Sequence, residues 1–303
     1  MKAKIKNKDF LHKYLVLDHQ ARVITVFSTD VVNEYCKNIQ TTPVSIAAMG
    51  RLISATLMMG SMLKGKERVM LSIEGNGPIG TIRAEADSNG NVRAFASNPT
   101  VSVPLNERGM LDVPAVVGSE GKLSVRKQLF MKEPFIGTCE LISGEIGEDL
   151  SYYYGVSEQT PTVVALGVLA NQDGTCKLAG GFIIQLLPNA SEEAYETLEK
   201  MLKNITSVSK LIENAKTSDQ FVYQLFDDAE LIFEYPVKYQ CNCSFEKTKV
   251  LLTQLTKEEL LDDLNKNKGI DVTCNFCQKQ YHFNNEDIED IIALKEKNIY
   301  NVK

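Results

Sequence analysis

Four cysteines near the C-terminus carry the strongest chemical signal in the sequence. They read Cys241-Asn242-Cys243, a thirty-residue interval, then Cys274-Asn275-Phe276-Cys277. Two tight pairs joined by a foldable segment suit a tetrahedral thiolate site, because each turn offers two sulfurs and the interval can bring both turns around one ion. Zinc is the expected ion, since it is borderline-soft, makes no geometric demand of its own and accepts a closed all-thiolate shell. The second pair has the usual C-x2-C spacing, whereas the first is a tighter C-x-C. The pattern fits a static structural zinc. It equally fits thiolates that hold zinc when reduced and pair as disulfides when oxidised. A resting disulfide framework fits less well: the opening Met1-Lys2-Ala3-Lys4-Ile5-Lys6 lacks the apolar run of a secretory segment, and intracellular thiols are ordinarily kept reduced.

Other candidate chemistry is weaker. Gly75-Asn76-Gly77-Pro78-Ile79-Gly80 matches G-x-G-x-x-G, but a dinucleotide site needs the third glycine to open a helix whose N-terminus meets the pyrophosphate. The residues that follow, 81–86, read as a strand, so a hairpin turn is expected instead. Glu145, Glu148 and Asp149 have no recognisable nucleophile beside them and read as a solvated helix face. His12, His19 and His282 are scattered and suggest neither a metal cluster nor a triad. Cys36, Cys139 and Cys176 stand alone and read as buried small hydrophobes.

The elements that must position the four cysteines are legible in outline. Strands are expected at 15–17 and 22–28, a helix at 30–38, and a long apolar helix at 44–63 with Thr42 as cap and Pro43 at its first position. Met49, Met58, Met59 and Met62 on that helix read as core against a sheet, with an adaptable binding surface as the alternative. Arg51 near its centre, costly in lipid, argues against a membrane span. Further strands are expected at 69–74, 81–86, 92–96, 122–129, 162–170 and 181–187, and a short helix at the tyrosines 152–154. After Pro188, Ser191 opens an acidic helical stretch with Leu198, Met201, Leu202, Ile205, Val208 and Ile212 along one face. Thr217 and Gln220 have capping-box spacing for another short helix. In the cysteine segment Thr256 and Glu259 form a capping box, 270–273 and 280–283 flank the second pair as strands, and Ile288, Ile291, Ile292 and Leu294 mark a last helix. So few apolar residues make a small core, and metal ligation is expected to supply much of this unit's folding energy.

Composition narrows the function. The 303 residues hold 33 Lys and Arg against 39 Asp and Glu, a net charge of −6, and no Trp. From 238 to 303 there are ten bases and eleven acids. A zinc ribbon gripping a phosphate backbone would carry a basic surplus, so a nucleic-acid or ribosome-associated module is the second reading, disfavoured by charge. A thiol oxidoreductase using Cys274 and Cys277 is a third, weakened because that pair lies between strands rather than opening a helix. No specific nucleic acid and no membrane are expected as partners, and the location expected is cytoplasmic.

Nearly the whole chain resembles the heat shock protein 33 family of redox-regulated chaperones. The resemblance rests on Cys241-x-Cys243 with Ser244, Cys274-x-x-Cys277 with Tyr281 and Phe283, Gly50-Arg51-Leu52, Gly75-x-Gly77-Pro78-x-Gly80, Ala86-Asp87, Asn98-Pro99, Gly144-Glu145-Ile146, Ser157-Glu158-Gln159, and Gly180-Gly181 with Gln185-Leu186-Leu187-Pro188. Ala94 follows Arg93 where a glycine turn is expected. The resemblance implies an α+β fold in three regions: a mixed helix-and-sheet core over 1–188, a helical linker over 189–240, and a small zinc-binding domain over 241–303. It further implies an ATP-independent holdase, not an enzyme, that is inactive while Cys241, Cys243, Cys274 and Cys277 hold one Zn2+. Oxidation would pair Cys241 with Cys243 and Cys274 with Cys277, release the zinc and destabilise the linker. Unfolding client proteins would then be bound, by a homodimer.

Overall fold

The helix at Pro43–Gly60 is covered on every side. Thr42 caps it, its hydroxyl accepting from the Ser45 N–H at 3.3 Å, and Pro43 sits where a missing N–H costs nothing. Sixteen of its eighteen residues are buried, so it needs a layer on both faces rather than one. By length and composition it is apolar enough to cross a membrane, but 89% of that window is buried within the fold. Met49, Met58 and Met59 are core, which leaves the adaptable-surface alternative without support at those positions. Arg51 is not a lone charge, because it pairs with Glu145.

The computed structural model describes residues 9–129, 131, 133–188, 190–203, 208–215, 220–266 and 268–300. It divides into two units, Met1–Gln240 and Cys241–Lys303. The first begins with β1 (Phe10–Val16), β2 (Ala21–Phe27), α1 (Thr29–Asn38) and α2, the Pro43–Gly60 helix. Then come β3 (Arg68–Gly75), β4 (Thr81–Asp87), β5 (Asn91–Ala96), α3 (Val113–Val117), β6 (Gly121–Gln128) and β7 (Phe135–Glu140). After α4 (Gly147–Ser157), β8 (Thr162–Ala170) and β9 (Cys176–Leu186) follow α5 (Glu192–Lys203), α6 (Val208–Asn214) and α7 (Gln220–Leu225). The strands β10 (Glu230–Pro236) and β11 (Lys238–Tyr239) close the unit. One sheet has the order β10-β1-β2-β9-β8 and the other β11-β5-β4-β3-β6-β7. The helix α2 packs on β2, β8 and β9 of the first and on β3, β4 and β5 of the second. The α+β class expected from the sequence is the one observed.

Several elements differ from their sequence reading. The first strand begins at Phe10, and β7 and β10 have no counterpart in the sequence reading. Both are sheet-edge strands. β10 is almost wholly exposed, and in β7 apolar Phe135 and Ile136 are exposed while an inward position holds Gly137. Neither shows the apolar–polar alternation that marks a half-buried strand. The stretch expected as a helical linker is helical only as far as Leu225. Its last part pairs β10 antiparallel with β1 and β11 in parallel with β5. The helices α5 to α7 set Ala194, Leu198, Ile212 and Val222 against Tyr14, Val23, Phe182 and Ile184 on the outer face of the first sheet. Ile205 and Thr217 lie outside the described residues. Ala94 is mid-strand in β5, opposite Ala84, so no turn occurs there.

The G-x-G-x-x-G segment links β3 to β4 and opens no helix. Its Gly77 N–H donates to the Val117 carbonyl at 3.0 Å, and a Cβ on Gly77 would stand 2.3 Å from the Val116 oxygen. The glycine is there for close backbone approach to α3.

Asp149 corrects the solvated-face reading. It is fully buried, while Glu148 is exposed. Its carboxylate accepts from the backbone N–H groups of Ile142, Ser143, Gly144 and Ile146 at 2.8, 3.0, 3.3 and 2.9 Å. These bonds hold the β7–α4 loop, including Ile146 at φ 66°, a left-handed conformation that a β-branched residue rarely adopts. Asp149→Ala is therefore expected to destabilise the first unit by about 3 kcal/mol or more, since it strands several buried donors. Glu148→Ala should change stability by less than about 0.5 kcal/mol. Denaturant midpoints of the two variants measure the difference.

Candidate metal centre

The second unit has little apolar material. Its elements are α8 (Phe245–Leu252), α9 (Lys257–Lys266), β12 (Ile270–Thr273), β13 (Gln280–Phe283) and α10 (Asn285–Tyr300). Its core consists of Leu252, Leu260, Tyr281, Phe283, Ile288 and Ile291, with Phe245 stacked on Phe283 at 4.4 Å between ring centroids. Leu294, expected on the apolar face of the last helix, is instead exposed. The Thr256–Glu259 capping box forms as expected, with the Thr256 N–H donating to the Glu259 carboxylate at 2.7 Å and the Glu259 N–H to the Thr256 hydroxyl at 3.2 Å.

Each cysteine pair sits on a short, fixed turn. Cys241-x-Cys243 leads into α8, where Ser244 caps by accepting from the Lys247 N–H at 3.2 Å. The Lys247 ammonium reaches back to the Asn242 carbonyl at 2.7 Å. Cys274-x-x-Cys277 forms the turn of the β12–β13 hairpin. There Gln278, at φ 58°, donates its N–H to the Cys274 carbonyl at 2.8 Å, and Cys274 donates to the Lys279 carbonyl at 2.9 Å. This pair opens no helix, so the context of a thioredoxin-like motif is missing.

The four sulfurs lie within 4.8 Å of one another. Cys241 and Cys274 are 3.7 Å apart and Cys243 and Cys277 3.4 Å. A tetrahedron of thiolates at the usual zinc bond length has edges of about 3.8 Å, so the donor set fits a soft, four-coordinate cation. All four cysteines are half-buried, which leaves them within reach of small solutes. Among the described residues, no other group of three or more His, Cys, Asp or Glu brings its ligand atoms together in this way. The histidines are each paired with a separate carboxylate, His12 with Glu234, His19 with Glu230 and His282 with Asp271.

The surroundings treat the four thiols unequally. Burial pushes Cys241 and Cys277 upward. Burial also acts against ionisation of Cys243, but hydrogen bonds outweigh it, that from Tyr281 foremost, and bring this thiol down to about 7. The Tyr281 hydroxyl donates to the Cys243 sulfur at 3.1 Å, and that bond in turn holds the phenol proton above its ordinary range. The sequence reading missed this contact. Its one trace is that Tyr281 and Phe283 share a strand face, which turns both toward the cysteine turns. Of the isolated cysteines, burial raises Cys139 to about 11 and Cys176 to about 12, while Cys36 is half-buried and also raised. None is a ready nucleophile.

The chain as a whole is similar to known proteins. A family model described as Hsp33 protein matches residues 9–284. A 33 kDa chaperonin of Bacillus velezensis is 42% identical over 284 residues, covering 93% of this chain and 98% of the relative. One from Staphylococcus haemolyticus is 40% identical over 287 residues, covering 94% and 98%. The crystal structure of a 33 kDa chaperonin (heat shock protein 33 homolog) from Thermotoga maritima superposes with a TM-score of 0.87 at 34% identity, covering 96% of this chain and 99% of the other.

The Tyr281 contact makes a specific prediction. Tyr281→Phe removes the donor, so Cys243 should ionise above its present value of about 7. Metal binding requires thiolates, so it weakens as pH falls through that range. The variant's loss should therefore begin at higher pH. At neutral pH its affinity for a thiophilic divalent ion should drop by about tenfold, the usual effect of losing an outer hydrogen bond. Chelator competition across a pH series reads both effects.

Proposed function

This chain belongs to the Hsp33 family, and from that membership we propose that it is a redox-regulated, ATP-independent holdase that captures unfolding proteins under oxidative stress. The observation that carries the proposal is the cluster of four half-buried sulfurs on a unit with six buried apolar residues among those described. In the reduced state Cys241, Cys243, Cys274 and Cys277 hold one Zn2+, which keeps the four sulfurs as thiolates and ties the two turns together. The regions that follow from this reading are a client-binding core over 1–188, a linker over 189–240 and the switch domain over 241–303. The protein works by binding rather than catalysis, in the cytoplasm, with unfolded chains as its partners and a homodimer as its oxidised form.

The activating step is a pair of two-electron oxidations. A peroxide-class oxidant takes two electrons from one thiolate of a pair, giving a sulfenic acid and hydroxide. The neighbouring thiolate attacks that sulfur, an S–S bond forms and a second hydroxide leaves. Repeating this at the other pair gives Cys241–Cys243 and Cys274–Cys277, uses two equivalents of peroxide and removes all four ligands. Without the cross-link, the small apolar core is too little to hold 241–303 folded.

The linker offers a physical route from that loss to activity. Cys241 directly follows Gln240, whose N–H donates to Val92 at 2.8 Å beside β11. Upstream, α6 and α7 rest Ile212 and Val222 on the first sheet, and surface helices of this kind draw most of their stability from docking. The stretch 192–230 also carries nine acids against four bases, which favours detachment through self-repulsion. Undocking would uncover the face formed by Tyr14, Val23, Phe182 and Ile184, an apolar surface suited to unfolded chains.

Zinc release and suppression of client aggregation, followed together during peroxide treatment at unfolding temperature, test the proposal. Holdase activity should be low while zinc is bound and rise as it leaves. Zinc release with no gain in activity would assign the cluster a purely structural role. Hydrogen exchange tests the linker route separately. Amides of α5 to α7 should lose protection on oxidation, and equal protection in both states would rule that route out.

A further inference from the structure

Arg22 differs from the other arginines with a buried side-chain nitrogen in the first unit. Three guanidiniums, those of Arg22, Arg51 and Arg93, have a buried Nε without a hydrogen-bond partner. Arg51 is paired with Glu145 and Arg93 with Glu85, so each of those charges is answered. Among the described residues, no carboxylate lies within 4.0 Å of Arg22. Its partner is Gln185, whose Oε1 accepts from Nη2 at 2.5 Å. Gln185 is only 2% exposed and is itself fixed, its Nε2 donating to the Thr162 hydroxyl at 2.9 Å. One side of the guanidinium is thus oriented by a buried amide, and the Nε is left over. Buried polar groups ordinarily find a partner.

The surroundings favour an anion. Lys13 stands close enough for the two cations to repel, and its ammonium is turned to the Ser61 carbonyl at the end of α2. Lys127 shares a cavity of about 200 Å³ with Arg22 but is paired with Glu158. In that smaller cavity Arg22 and Lys127 face one carboxylate, Glu158. Arg22 also lines a larger pocket of about 800 Å³, walled by Pro161, Leu187 and Pro188. Glu192 at its rim is exposed. The volume is that of a small-molecule site. The apolar part of the wall, Pro161, Leu187 and Pro188, lies beside one guanidinium, with Gln159, Thr160 and Ser191 making up a polar part. This combination suits a small group with an apolar body and a carboxylate, which guanidinium recognises through parallel hydrogen bonds. A phosphate would call for more donors.

We propose that Arg22 and Gln185 form the anion subsite of a pocket for a small apolar carboxylate, such as an N-acylated aliphatic amino acid or the C-terminal residue of a polypeptide. This site is separate from the cysteine cluster, and because α5 supplies Glu192 and Tyr195 to its wall it belongs to the reduced state in which that helix is docked.

The test is an NMR titration of the full-length reduced protein, following the Arg22 Nε–H resonance. N-acetylleucine should shift it saturably, and N-acetylleucinamide, which lacks the charge, should bind at least about tenfold more weakly. Arg22→Gln should abolish the response to the acid in the remaining pocket resonances. Arg22→Lys, which keeps the charge but loses the planar fork, should weaken it by about tenfold. A pentapeptide ending in a free leucine carboxylate separates the two sources. Tighter binding of the peptide points to polypeptide ends and equal or weaker binding to free small acids, and either upholds the pocket. The proposal is overturned if the acid produces no saturable shift, if the amide binds as well, or if Arg22→Gln retains the affinity. Should Arg22→Gln fail to fold, the acid-against-amide comparison on the natural protein decides alone. A purely structural Arg22, placed to offset the carbonyls at the end of α2, would show no difference between acid and amide.

Discussion

A helix that is apolar on every face has to be covered on every face, and α2 imposes that requirement on the first unit. One sheet can bury one stripe of a helix; sixteen buried residues out of eighteen need two. The five-stranded and six-stranded sheets meet that need from opposite sides, and their inward residues form one continuous core with the helix. The outer face of the first sheet is a separate matter. It is apolar too, at Tyr14, Val23, Phe182 and Ile184, and the cover available to it is the short helices α5 to α7. The same sheet thus has a permanent partner on one face and a less robust one on the other.

The second unit meets the opposite constraint. Its buried apolar set among the described residues is six, with Phe245 stacked alongside, a small core for some sixty residues. Its turns converge instead on sulfur. Hydrogen bonds fix those turns, from Ser244 at the start of α8 and from Gln278 in the hairpin, and the four thiols they carry lie at ligand spacing. Under the proposed function such a unit would gain much of its stability from ligation that an oxidant can remove, whereas the first unit gains it from a large apolar core. Cys139 and Cys176 are buried and their thiols raised, which makes them poor nucleophiles.

Between these two regimes lies the segment from α5 to β11. It combines short helices, acidic charge and an edge strand, β10, whose Leu231, Ile232 and Phe233 are exposed. Each element is held by what it rests on rather than by its own propensity. Such a segment is suited to detach as a group, and the proposed route from disulfide formation to client capture depends on that low intrinsic stability.

What the sequence determined by itself was whatever acts over a few residues. The cysteine spacings, the caps at Thr42 and Thr256, Pro43 at a helix start and the turn around Gly77 each follow from local geometry, and each is found where the residues indicate. Resemblance carried further, to the family and its α+β class. The tertiary structure decided the pairings between distant positions: Arg51 with Glu145, 94 positions apart, Tyr281 with Cys243, 38 apart, and Arg22 with Gln185, 163 apart. It decided that Asp149 is a buried loop anchor rather than a solvated acid, and that β7 and β10 are strands at all. Edge strands with exposed side chains are specified by the backbone of a neighbour and carry little pattern of their own, and a buried charge is assigned its role by the groups that packing brings to it.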